Sequence, residues 1–134
     1  MIDIENQVFT IIANRLRAEF GKSFYVSGEL NLNPTTLPCA YIEQADNSAL
    51  TTSRDTASNE NHAVVMYEVN VYSNKTSGKK TEAKAIFKVI DETFDDLGFT
   101  RQTMLPFQFD NTTKYRIAGR YIAVVDKKER IYRR

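Results

Sequence analysis

A chain of 134 residues, 42% hydrophobic and 26% charged, suits one domain with its own core and is short for two. Its 18 Lys and Arg against 17 Asp and Glu leave a net charge of +1, which excludes a whole-molecule field for gathering nucleic acid or anionic membrane. A single cysteine, Cys39, excludes an intrachain disulfide and a metal site built from the cysteines of one chain, and it fits a reducing compartment.

The opening MIDIENQVFTIIANRL lacks the basic start, unbroken apolar run and small-residue cleavage site of a secretory signal, and no run reaches transmembrane length. The expectation is a soluble, intracellular protein without membrane contact. On that expectation the acceptor patterns Asn74-Lys75-Thr76 and Asn111-Thr112-Thr113 carry no weight.

Asp3 is placed to cap a first helix whose Ile4, Val8, Ile11, Ile12, Leu16 and Phe20 fall on one stripe, and Gly21 supplies the stop. Phe24 to Ser27 and Leu37 to Gln44 read as short strands joined by the turn-rich segment that begins at Asn31. From Asp46 to Asn61 the only large apolar residue is Leu50, so a mobile loop or extended arm is expected over 46–61. A structureless stretch of that length in a compact domain points to contact with a partner.

Val65, Tyr67, Val69 and Val71 alternate with Met66, Glu68, Asn70 and Tyr72, the period of a strand with one buried face. Next comes a basic turn and a second helix with Ala83, Ile86, Phe87, Ile90, Phe94 and Leu97 on one side; Gly98 should cap it and let Phe99 fold back on Phe94. Phe99 to Phe109 and Lys114 to Asp126 read as two further strands around an Asp110 to Thr113 turn, with Ile131 and Tyr132 as a short last piece. The predicted order is α-β-β-β-α-β-β in a single domain over 1–134: an α+β fold with one mostly antiparallel sheet, both helices on one face, and a basic C-terminal tail at 127–134.

Chemistry-bearing patterns are sparse. His62 is the only histidine, without the spacing of a zinc site or an orienting partner for acid-base work. Cys39, between Pro38 and Ala40, has no paired base. The five glycines form neither a dinucleotide fingerprint nor a phosphate loop. No catalytic residue, cofactor site or metal site is predicted, and the expectation is a protein that is not an enzyme.

The second helix is the unusual element. Lys79, Lys80, Lys84 and Lys88 crowd its start, and Asp91, Glu92, Asp95 and Asp96 its end. That is the reverse of what the helix dipole favours, where each well-placed charge contributes roughly 0.3–1 kcal/mol. The first helix obeys the dipole. The basic start, GKKTEAK, is similar to the lysine-rich helix start of double-stranded RNA-binding domains, a resemblance of about ten residues that the two later strands and the long loop do not share.

A longer stretch, YEVNVYSNKTSGKKTEAKAIFKVIDETFDDLGFTR with the later YRIAGRYIAVVD and the terminal IYRR, resembles the tail terminator or tail-completion proteins of long-tailed phages and prophages. The resemblance spans about the C-terminal half. It implies a virion protein, assembled in the host cytoplasm and placed at the head-proximal end of the tail. There a ring of copies, usually a hexamer, stops tube polymerisation and offers the head-joining surface. The implied partners are further copies of itself, the tail tube protein and a neck or head-completion protein, with DNA as passing cargo; another connector of the same neck region is the alternative.

The residues suggest where such contacts lie. A ring needs two complementary patches on each copy, and Lys79, Lys80 and Lys84 facing Asp91, Asp95 and Asp96 of a neighbour supply them. On the strand from Lys114 to Asp126, Arg116 and Arg120 share a face with Ala118, Ile122 and Val124. With Arg130, Arg133 and Arg134 they form a basic edge suited to a channel lining or to an acidic rim of the tube.

Overall fold

The computed structural model describes residues 1–29, 36–49, 62–108 and 114–131. In chain order it contains α1 (Glu5–Phe20), β1 (Tyr25–Ser27), β2 (Cys39–Ala49), β3 (His62–Ser73), α2 (Lys79–Leu97), β4 (Thr100–Gln108) and β5 (Tyr115–Asp126). The strands form one sheet in the order β1-β2-β3-β5-β4, antiparallel throughout except for the parallel pair β1 and β2. The predicted α+β class and element order are those observed.

The two long central strands set the frame. β3 and β5 pair without a break from His62 opposite Asp126 to Ser73 opposite Tyr115. Their two-residue period buries Val65, Tyr67, Val69 and Val71 with Ile117, Tyr121 and Val125 on one face, where Val8, Ile12 and Leu16 of α1 and Ile86, Phe87, Ile90 and Phe94 of α2 meet them. Fully burying such a side chain is worth about 1.5–3 kcal/mol, so this layer accounts for most of the fold's cohesion.

Two glycines let α2 seat on the sheet. A Cβ on Gly119 would lie 2.6 Å from Cζ of Phe87, so only glycine lets that ring press onto the middle of β5. Gly98 takes φ 99°, and its amide and that of Phe99 donate to the carbonyls of Asp95 and Phe94, closing the helix. Phe99 then folds back on Phe94 with ring centroids 4.9 Å apart, and Phe94 stacks on Tyr121 at 4.2 Å.

The helices run antiparallel across the sheet. The start of α1 is tied to β2 by the Gln44 amide donating to Oε2 of Glu5 at 2.9 Å, and its end lies by β1, where Nε of Arg17 donates to the Phe24 carbonyl. At the same end Oγ of Ser73 donates to Glu82 in the first turn of α2, which then runs back toward the His62 end. The molecule thus has a Tyr72 end, holding the start of α2 and the end of α1, and a His62 end, holding the reverse.

Several expectations are corrected. Asp46–Ala49, predicted as loop, continues β2 beyond a bulge at Ala45, because Asp46 to Ala49 pair with Met66 to Ala63; the rest of the 46–61 segment lies outside the described residues. Arg116 and Arg120 sit on an interior strand, not on a basic edge, because β4 closes the outer side of β5. Ile11 and Phe20 leave the buried stripe of α1 and are each 38% exposed. The helix begins at Glu5, whose amide donates to Oδ1 of Asp3. Ile131 forms only an isolated bridge to Val125, and Tyr132 lies outside the described residues.

Candidate functional site

The α2 charge reversal is real in three dimensions. Its start, after Gly78 at φ 88°, carries no side-chain cap; Lys80, Lys84 and Lys88 line one exposed row at four-residue spacing, with Lys79 half-buried beside them. Like charges at that spacing oppose the helix by about 0.2–0.5 kcal/mol per pair. Among the described residues Lys79, Lys80 and Lys84 enter no ion pair. Lys80 and Asp96 are sixteen residues apart, about 24 Å along the axis, so one copy cannot bring the two ends together.

The acidic end divides into two kinds of carboxylate. Oδ1 of Asp91 accepts from Nη1 of Arg101 at 3.0 Å and from the Tyr121 hydroxyl at 2.8 Å, so it locks the start of β4 and the core of β5 to α2. Burial, followed by that bond to Asp91, pushes the Tyr121 hydroxyl well above its ordinary range and keeps it a donor. Asp96 pairs with Arg15 of α1 at 2.7 Å with both side chains about half exposed, and Asp95 is exposed beside it. Asp95 and Asp96 therefore face outward, while Asp91 is committed inside its own chain.

The sheet face without helices holds the predicted arginines. Arg116 sits opposite Tyr72, with its guanidinium carbon 5.7 Å from the ring centre, and Nε and Nη2 donate to Oδ1 of Asn70 at 2.8 and 2.6 Å. Asn70 is buried. Next to them Tyr41 packs edge-on against Tyr72 and Tyr25, above Cys39. Burial outweighs the hydrogen bond with Tyr41 and the nearby Lys114 charge, and pushes the Cys39 thiol up to about 11, which makes it inert. Arg120, opposite Glu68, is exposed and 3.9 Å from its carboxylate. Farther along, Val64, Met66, Ile122 and Val124 form a half-buried apolar patch.

Arg130 belongs to a built turn. Oδ1 of Asp126 accepts the amides of Lys128 and Arg130, both at 2.9 Å, and Oδ2 accepts Nε of Arg130 at 3.0 Å. These bonds, the Arg130 amide first, hold the Asp126 carboxyl below the usual carboxylate range. Gln7 donates to Glu129 at 2.6 Å and ties the turn to α1. Arg133 and Arg134 lie outside the described residues.

Sequence reading missed Arg15, Asn70, Arg101 and Tyr121 as partners. The available signal was Asn70, a polar residue held between Val69 and Val71 in the strand; the others depend on sheet order. Among the described residues, no three His, Cys, Asp or Glu side chains converge as a metal set, and no helix is long and apolar enough to cross a membrane.

The fold is similar to that of a chain in a structure described as the virion of a native gene transfer agent particle. The two share a TM-score of 0.58 and 15% sequence identity, with 87% of this chain and 92% of that chain covered. At that identity the likeness concerns fold alone. No protein-family model matches the sequence, and no curated protein matches it.

Proposed function

We propose that this chain is a virion structural protein, a tail terminator whose copies form a ring on the head-proximal end of the tail tube, stop its growth and present the head-joining surface. The single observation that carries the reading is the fold likeness over nearly the whole of both chains to a component of a virion particle. The sequence resemblance adds the position in the tail. The charge-reversed α2 adds the means of assembly: two complementary patches on each copy, too far apart to neutralise each other within it.

On this reading the protein's work is mechanical, with no cofactor and no chemistry. Lys79, Lys80 and Lys84 of one copy meet the outward carboxylates Asp95 and Asp96 of the next; Asp91 holds the acidic end in shape from within. Arg116 and Arg120 offer the helix-free sheet face to the tube rim or to the channel through which DNA passes; Arg130, in the turn tied to α1 through Glu129, is a separate candidate contact with Arg133 and Arg134.

The test is to add the purified protein to polymerising tail tube subunits and follow tube length. Growth should halt at one end, at a protein-to-tube ratio of one ring. Tubes that elongate unchecked would overturn the terminator reading, and binding to the neck alone would move the chain to another connector position. Truncation after Asp126 separates the arginines: a shortened chain that still controls length and joins heads would remove Arg130, Arg133 and Arg134 from the contact.

A further inference from the structure

The inner side of β2 is paired with β3 along its length, but β1 pairs with the outer side only from Cys39 to Tyr41. Among the described residues, no strand lies outside the remaining 42–49 stretch. Such an edge offers its amides and carbonyls to any other chain, and proteins blunt it with bulges, inward-pointing charges or covering segments.

All three devices stand together here. The Gln44 amide turns to α1 instead of β3 and donates to Oε2 of Glu5 at 2.9 Å. The bulge at Ala45 follows, and beyond it the Asn47 amide donates to Oδ1 of Asp46 at 2.9 Å. The Asn47 side chain donates to the Ile2 carbonyl at 2.6 Å, which draws the N-terminal segment alongside the strand. Ile2 and Ile4 are buried, so that segment is anchored in the core.

A carboxylate is a stronger acceptor than the carbonyl of an incoming strand, because charge-assisted hydrogen bonds are roughly twice as strong as neutral ones. A strand added at Gln44 would have to displace Glu5, bring its own carbonyl past that negative charge and leave the carboxylate desolvated without a partner. The exchange is unfavourable at each step.

We infer that Glu5 and Asp46 are edge guards: they occupy the amides through which a second copy would add a strand to β2, and so keep the sheets of neighbouring copies from fusing. The guard stands whether or not copies form a ring. At the far edge of the sheet β4 carries Pro106, which has no amide to offer. With both edges blunted, copies are left to meet through helices and sheet faces.

Hydrogen exchange of the Gln44 and Asn47 amides at several protein concentrations tests this. In Glu5→Ala with Asp46→Ala, both amides should exchange about tenfold or more faster than in the wild type when the protein is dilute. At high concentration their protection should return, as a strand from another copy covers them, and sedimentation should show dimers and longer species. Wild-type protection at the two amides should not depend on concentration. Amides as slow in the dilute double variant as in the wild type would overturn the guard, and so would amides that stay exposed at every concentration.

The change should also be local. The Tyr67 and Val69 amides of β3 should keep their wild-type rates, and loss of protection there would mean that the strand has unfolded instead of opened, which overturns the inference. A second variant, Glu5→Gln with Asp46→Asn, keeps an oxygen acceptor at each place and should exchange the two amides more slowly than the alanine pair; equal rates would overturn it as well. A wild-type protein that forms no ring and caps no tube would remove the terminator reading and leave the guard untouched.

Discussion

The two faces of the sheet are made by the same strands and do opposite things. On the helix-covered face β3 and β5 present Tyr67, Val69, Ile117 and Tyr121, each fully or nearly fully buried. On the bare face the alternate residues are Glu68, Asn70, Arg116 and Arg120, joined by hydrogen bonds and one loose ion pair. One face fixes the fold through close packing under the helices; the other, without helices, holds polar groups in set positions, some of them exposed and Asn70 buried. A strand alternation that buries one side at full density leaves the other to carry a polar surface, here with a small buried cluster of its own in Cys39, Tyr41 and Tyr72 beside Asn70.

The largest effect expected on this contrast is Phe94→Ala. It removes a ring that stacks on Tyr121 and packs on Tyr67 and Phe99, and should cost about 3–5 kcal/mol in urea unfolding. A loss below about 1 kcal/mol would mean that the covered face is not the source of stability. Gly119→Ala comes next. The added methyl meets the Phe87 ring, and overpacking of about 1–3 kcal/mol is expected, with Phe87→Leu in the same chain recovering part of it.

On the bare face, Arg116→Ala should cost about 1–3 kcal/mol, because buried Asn70 loses both donors to Oδ1. A neutral result would make that pair an ornament of the open surface. Still smaller is a pH effect on the turn after β5. The folded Asp126 pKa is depressed, so the stability it adds is present above the unfolded carboxylate value of about 3.9 and is lost as pH falls through the folded value. The Lys128 and Arg130 amide resonances should titrate with a midpoint below about 3.9, and Asp126→Asn should abolish the titration.

No loss of stability is expected from Lys80→Glu with Lys84→Glu, which should instead gain about 0.3–1 kcal/mol, since both lie exposed and Lys80 sits in the first turn, where the helix dipole favours a carboxylate. Assembly should nevertheless fail, and Asp95→Lys with Asp96→Lys added to the same chain should restore part of it. Normal assembly of the first variant would detach the α2 charges from any role between copies.

Much of this was legible from local periods. The two-residue alternation of 65–72, the helical spacing of Ala83 to Phe94 and the glycine stop at 98 each report a neighbour within a few residues along the chain, so the elements of the covered face could be read directly. What could not be read is set by distant pairing. β1 lies parallel to β2, β5 is interior, and the 46–49 stretch is strand only because Ala63 to Met66 lie beside it. Asp91 shares a sequence cluster with Asp95 and Asp96, yet Arg101 and Tyr121 take it inward. The partial exposure of Ile11 and Phe20, by contrast, follows from the helical period: nine residues apart, they lie half a turn from each other, on opposite edges of the α1 stripe.

The most direct test of the account is negative-stain imaging of the purified protein alone and after mixing with uncapped tail tubes. Closed rings of uniform diameter, and a cap confined to one tube end, are the predicted result. A protein that stays monomeric and leaves both tube ends bare would contradict it.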